Sequence, residues 1–253
     1  MNCAACHGAS GRGNGMSSTS LSDDWGFAIR PANLTQGWNY RGGAEPKDIA
    51  TRMLTGIDGA QMPSYAEAAS VDETWHLSHY VRSLQEPPRW APIVEVARVE
   101  GDVPRTVDDP RWQPVPRTDV RLRSVVNAAG EMANPPTINA VTLWALHNGE
   151  SISIRLQWDD PTEDRTPESP DVAAVALRPA GVIGDAVSLQ YWPMQQSPPL
   201  DLLVWSAARQ AQPPAAEFRE ALVARYDPVL QAEARGAARP GQAVYQDGRW
   251  TAV

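Results

Sequence analysis

Residues 3 to 7 read Cys3-Ala4-Ala5-Cys6-His7, CAACH, and this stretch decides the reading of everything up to about residue 86. Cys3 and Cys6 are the only cysteines among 253 residues, so no third thiol exists for a disulfide framework or a four-cysteine zinc site. The C-x-x-C-H spacing is that of a c-type haem attachment motif. Two cysteines on one turn of backbone each reach a haem vinyl group, and the next residue turns its imidazole toward the iron. Cys3 and Cys6 are therefore read as the thioether positions and His7 as the proximal iron ligand. Two other chemistries use the same residue types. A thioredoxin-like redox pair requires a βαβ setting, and half of a zinc site requires two further ligands, for which His76 and His79 are the nearest candidates. Both histidines lie in helix-like sequence and are read as ordinary surface or half-buried residues.

Outward from the motif, an electron-transfer haem requires a second axial ligand, and the soft thioether of Met is the usual partner of His. Met16 follows the glycine-rich run too closely to cross to the other haem face. Met53 lies in EPKDIATRMLTGI, where Ile49, Met53 and Leu54 mark the buried stripe of a short helix, so it is read as core. Met62 stands in TGIDGAQMPSY, an irregular loop between two helices, where Gly56 and Gly59 allow tight turns and Pro63 keeps the preceding backbone extended. Met62 is the expected distal ligand. The following SVDETWHLSHYVRSL predicts a helix with Ser70 at its N-cap and Asp72 and Glu73 in its first turn. Val71, Trp75, Tyr80 and Leu84 approximate its apolar stripe.

These motifs in this order, CAACHGxxGxG, RPANLTQGWNYRGG, a helix, TGIDGAQMPSY and a closing helix ending YVRSL, resemble a class I cytochrome c domain over residues 1–86. The resemblance implies a small all-α fold, one covalent haem c and one-electron transfer. It also makes Arg30, Trp38, Tyr40 and Arg41 candidates for the haem environment, with arginine suited to paired carboxylates such as the propionates. Class I domains begin with a helix ahead of the attachment motif, whereas only Met1 and Asn2 precede Cys3. The N-terminal helix is thus expected to be missing. Haem attachment outside the cytoplasm implies a periplasmic or otherwise exported protein, although no signal peptide precedes Cys3.

A proline-rich stretch, QEPPRWAP, follows at 85–92, and residues 87–92 are read as a short extended linker. Beyond it the hydrophobic period changes to two. Val141, Leu143 and Ala145 alternate on one side of Asn148-Gly149, and Ile152, Ile154, Leu156 and Trp158 on the other, which predicts a hairpin with a type I′ turn. Further strands are expected in IVEVARVEG, DVRLRSVVNA, DAVSLQYW and LDLLVWSA. The closing AVYQDGRWTAV predicts a second hairpin turning at Asp247-Gly248. A helix broken near Pro228 is expected within residues 215–237. The expected fold is thus two domains, a cytochrome c domain followed over 93–253 by a mainly antiparallel β-sandwich with a few helices. Trp144, Trp158, Trp192 and Trp205 are read as sandwich core. Asp159-Asp160 is read as a strand-ending Asp-Pro turn rather than a metal or acid pair.

The second part, through DDPRW at 108–112, the hairpin ALHNGESISIRLQWDDPTEDRT, DAVSLQYWP and LLVWSA, resembles the haem b-binding β-sandwich of the gamma subunit of ethylbenzene dehydrogenase. Relatives of that enzyme include dimethylsulfide dehydrogenases and chlorate and selenate reductases. The resemblance implies haem b held between a Met and a Lys. Met194 is the match for the Met, but the only lysine of the chain, Lys47, lies in the first part. Haem b is therefore not expected here unless another residue such as His147 replaces the lysine. That family's sandwich continues past GRWT, so the C-terminus is read as incomplete.

A net charge of −8 argues against a nucleic-acid partner, and no apolar run approaches the length of a membrane span. The expected partners are other redox proteins, including a molybdenum-enzyme complex. The expected role is a carrier or electron-transfer subunit of a respiratory oxidoreductase. Two competing readings are a haem enzyme of the peroxidase or reductase type with an open iron position, and a binding module in which the haem is structural.

Overall fold

The computed structural model describes residues 2–91, 93–122, 138–163, 172–177, 201–206 and 242–253. Met194, Trp192, the DAVSLQYW run and the helix expected within 215–237 lie outside the described residues. Helices occupy the first part and strands the second. Among the described residues no helix is long and apolar enough to cross a membrane.

The first part begins with a single turn, α1 (Ala4–His7), and continues through loops to α2 (Pro46–Thr55) and α3 (Val71–Ser83). Each longer helix starts where its sequence supplies a cap. Glu45 and Asp48 form a reciprocal capping box at α2, with Pro46 at the first helical position. Ser70 and Glu73 do the same at α3. The two helices pack through small residues. Thr74 and Ser78 are buried on α3, with Leu77 and Val81 half-buried, against Ile49, Ala50 and Met53 of α2.

The expected stripe of α3 is not the inward one. Val71, Trp75 and Tyr80 are exposed. The reason lies in hydroxyl chemistry: Thr74 Oγ1 donates to Ser70 O at 2.9 Å and Ser78 Oγ to Thr74 O at 2.7 Å, so each satisfies itself within its own helix. Being small, both let α2 approach.

Residues 85–91 do not run free between the parts. Glu86 N donates to Thr35 O at 2.8 Å, Asp119 N to Arg89 O at 3.0 Å, and Trp90 bridges to Asp119 in parallel. The stretch is extended, as its prolines require, and docked along a strand.

The strands are β1 (Val96–Arg98), β2 (Thr118–Arg121), β3 (Ala140–His147), β4 (Ile152–Asp159), β5 (Val172–Leu177), β6 (Asp201–Ser206), β7 (Ala243–Gln246) and β8 (Arg249–Ala252). Six of them form one sheet in the order β1-β3-β4-β8-β7, with β2 also on β3, while β5 and β6 form a separate antiparallel ladder. The sheet is mixed, because β1 runs parallel to β3. All other pairs are antiparallel.

The period-two reading assigns the faces correctly. Leu143 pairs with Leu156 and Ala145 with Ile154, so the two apolar runs share one face, with Trp158 opposite Trp250. On that face Trp158, Trp250, Ala243 and Ala252 form a core with Ile138, Val141, Leu156 and Tyr245. Across the sheet, Trp112, Val115 and Leu146 make a second cluster with Trp144 and Val253.

The two hairpins differ. Asp247 (φ 51°) and Gly248 (φ 74°) both take left-handed backbone, as a two-residue type I′ turn demands. At the first hairpin His147 and Ile152 are the last pair, which leaves a loop of residues 148–151. There only Gly149 has positive φ, and the Asn148 side-chain oxygen accepts from Glu150 N and Ser151 N at 3.0 and 2.8 Å. The expected type I′ turn is replaced by an Asn-capped loop, because the side chain supplies the turn hydrogen bonds without left-handed backbone at Asn148.

Candidate haem attachment site

The attachment turn is built from its own backbone and closed by a loop. His7 N donates to Cys3 O at 2.9 Å, and both cysteines are free thiols on this one turn. A helix of four residues leaves its last carbonyls without helical partners. The glycine-rich run supplies them: Gly13 N reaches His7 O at 2.8 Å, Gly15 N reaches Cys6 O at 3.1 Å, and Ser17 N reaches Ala5 O at 2.8 Å. Gly15 is required by space, since a Cβ there would lie 2.3 Å from Ala5 O.

His7 is oriented by a second segment. Its Nδ1 stands 2.9 Å from the carbonyl of Ala32. A carbonyl only accepts, so the proton belongs on Nδ1, and Nε2 keeps its lone pair for a metal. Burial lowers the His7 pKa and so favours the neutral ring, with the Ala32 hydrogen bond acting in the opposite sense. Two free thiols and a neutral, oriented imidazole are the donor set that covalent haem requires, so the residues present fit that group.

Met62 is half-buried in the loop after α2. Ile57 N donates to Met62 O at 2.9 Å, closing a bridge between the two residues. Gly56 (φ 72°) permits this turn, because a Cβ there would meet Ser64 N at 2.7 Å and Met62 O at 2.8 Å. The same loop reaches the attachment turn. Burial raises the Tyr65 pKa first, and the neighbouring Cys3 and Cys6 raise it further. Met53 is buried against Ser78, whose Oγ lies 4.0 Å from its sulfur, and Met16 is 96% exposed.

The other expected residues disperse. Arg30 Nη1 donates to Ser18 O at 3.3 Å, and Arg41 is exposed. Tyr40 donates to Leu34 O at 2.9 Å, and burial pushes its phenol up to about 12 despite the nearby Arg52. Trp38 turns to the second part: its ring meets Trp90 edge-on at 5.0 Å and lies under Arg121 at 5.5 Å. His76 and His79 are both exposed on α3, and the described residues contain no group of three or more His, Cys, Asp or Glu that could hold a metal ion.

Sequence reasoning missed what joins the two parts. Asp160 forms the turn expected of it, accepting from Thr162 N at 3.1 Å. Asp159 does something else. Its carboxylate accepts from Asn33 Nδ2 at 2.9 Å and Gln36 Nε2 at 3.3 Å, and pairs with Arg12 at 3.4 Å and Arg249 at 2.5 Å. Glu86 and Asp247 complete the cluster through Arg12 and Arg249. These residues are scattered along the chain, and no local pattern announces them.

The attachment turn, the oriented imidazole, the loop after α2 and the capped closing helix define the first part as a cytochrome c domain, the kind that carries covalently bound haem c and transfers electrons. Residues 1–85 match the cytochrome c family model. Among solved structures, a chain of the reducing HAO-like protein complex of Kuenenia stuttgartiensis is 45% identical over 34% of this chain and 39% of that one, with a TM-score of 0.33. The match thus spans well under two thirds of that chain's length. No curated protein matches the chain.

Proposed function

We propose that the chain is a one-electron carrier in which Cys3 and Cys6 hold haem c as thioethers while His7 and Met62 supply the axial bonds. The observation that carries this reading is the His7 Nδ1 hydrogen bond to Ala32, which fixes the tautomer and leaves the Nε2 lone pair free for a metal. The group, when bound, supplies a single-electron iron couple. The protein's part is to set its level and its access. A thioether from Met62 would stabilise ferrous iron and would keep small ligands from binding to it. Arg30 and Arg41 are the cations proposed for the propionates.

The proposed division is a cytochrome c domain over 1–86, a linker over 87–92 and a β domain over 93–253. Its likeness to the ethylbenzene dehydrogenase gamma subunit supports a place beside other redox proteins, a molybdenum-enzyme complex among them, in the periplasm. The net charge of −8 favours steered, transient docking on a basic partner. In this reading the β domain docks the partner.

Electrophoresis under denaturing conditions with haem staining tests the attachment: the expected band survives boiling and thiol reductant. Carbon monoxide tests the ligand set. The ferrous wild-type protein is expected not to bind it. Ready binding by the wild type would favour an open-iron enzyme instead.

A further inference from the structure

We propose that Asp159 of the β part is a positioning residue for the His7 imidazole, so that the sheet sets the reduction potential of the cytochrome domain. The proposal rests on the reading of His7 as the iron ligand. Its geometry begins at the end of β4, where Asp159 pairs in register with Arg249 of β8, one step beyond the packed Trp158–Trp250 pair. The side chain is 8% exposed and fixed to a rigid sheet.

Both segments that shape the imidazole side of the attachment turn end on this carboxylate. The first is the glycine-rich loop, which donates Gly13 N to His7 O and carries Arg12, the cation facing Asp159 Oδ1. The second is the segment 32–36. Ala32 accepts the His7 proton, and the next residue, Asn33, donates its Nδ2 to Asp159 Oδ2. Asn33 is held at its other end too, because its Oδ1 accepts from Thr35 N at 3.0 Å and Thr35 Oγ1 at 2.8 Å. Leu34 N donates to Gly11 O at 2.6 Å, tying the two segments together. The Ala32 carbonyl is thus placed by an amide clamped between its own loop and the sheet.

Removing the carboxylate acts in one direction by three routes. A buried negative charge beside the segments that hold His7 is lost. Arg12 and Arg249 lose their most buried counter-charge and keep only the more exposed Glu86 and Asp247. The Ala32 carbonyl is freed to drift from His7, which weakens the imidazole as a donor. Each route favours ferrous iron, so the potential rises.

The experiment compares covalently loaded wild-type protein with Asp159→Asn, Asn33→Ala, the conservative Asp159→Glu and a remote control, Asp109→Asn. The readouts are the reduction potential and the exchange rate of the His7 Nδ1 proton in the paramagnetic NMR spectrum. Asp159→Asn is expected to shift the reduction equilibrium three- to tenfold toward ferrous, the upper figure being about 59 mV for one electron. Asn33→Ala, which keeps every charge, is expected to accelerate Nδ1 exchange about tenfold and to raise the potential by a smaller factor. Asp159→Glu restores most of both, and Asp109→Asn changes neither. Should Asp159→Asn fail to load or fold, Asn33→Ala carries the test alone. Wild-type potential and exchange rate in Asn33→Ala, or in both variants with haem retained, would overturn the proposal. A wild-type protein without covalent haem would instead remove the reading beneath it, and the proposal with it.

Discussion

Between residues 2 and 85 the buried apolar side chains are Ile49, Ala50 and Met53, whereas the β part buries Trp112, Trp158 and Trp250 with Val115, Leu146 and three alanines. The other side chains buried in the first part are small hydroxyls, Ser18, Thr35, Thr74 and Ser78. The two regions therefore draw on different sources of stability. The sheet carries its own core, because period-two strands place their apolar residues on one face whatever else is bound. The helical region joins helices at close range through small residues and contributes little apolar area per residue. Its stability is therefore expected to depend on the group proposed to be held by Cys3, Cys6 and His7.

Breaking the attachment should separate the regions most sharply. Replacing Cys3 and Cys6 with Ser is expected to abolish covalent haem and to melt α2 and α3 while the sheet persists. Haem staining and far-UV circular dichroism, set beside the tryptophan fluorescence of the Trp158–Trp250 core, check both halves of this expectation. Equal loss of both signals would show that the sheet cannot stand alone. The converse variant is Trp250→Ala. Emptying a fully buried indole site costs about 3–5 kcal/mol, read as a lower urea midpoint for the sheet with the haem absorbance intact at zero denaturant.

Within the first region the two methionines sharpen the comparison. Met53→Ala is expected to cost about 2–5 kcal/mol by cavity formation while leaving carbon monoxide excluded. Met62→Ala is expected to admit carbon monoxide and lower the potential with little change in melting temperature. The reverse outcome would exchange their roles. A smaller effect belongs to the Ser70 cap, where Ser70→Ala should cost about 1 kcal/mol, seen as a lower thermal midpoint of the helical signal.

The smallest effect concerns the sheet region at low pH. Hydrogen bonds from the Arg111 side chain and backbone pull the Asp109 carboxyl down to about 2, below its unfolded value. A carboxyl depressed in the folded state contributes stability above its unfolded pKa and loses it as pH falls through the folded one. The wild type is thus expected to lose this contribution between about pH 4 and 2. Asp109→Asn should flatten the acid limb of the denaturation curve in that window, being less stable than the wild type at pH 7 and converging with it below about pH 2.

Legibility in the sequence follows the range of the interactions. The attachment turn, the cap at Ser70, the Asp247-Gly248 turn and the alternating faces of β3 and β4 all arise between residues a few positions apart. Each was readable from spacing and residue type. The α3 stripe was misread because helical periodicity alone does not say which of two faces a neighbour will take. The structure chose the small hydroxyl face, since Thr74 and Ser78 bond to their own helix and let α2 close in. Asn148-Gly149 was misread for a related reason: the Asn side chain competes with the backbone for the turn hydrogen bonds.

The sequence by itself determined the chemistry of the haem donors and the periodicity of the strands, because thiol spacing, imidazole identity and side-chain alternation are local. Only the tertiary structure decided that the proton of His7 sits on Nδ1, facing Ala32, and that Asp159 gathers Arg12, Asn33, Gln36 and Arg249 between the two regions. Those partners are brought together by chain crossings that no short pattern records. A carboxylate at a strand end reads the same in sequence whether it turns toward water or, as here, into two arginines.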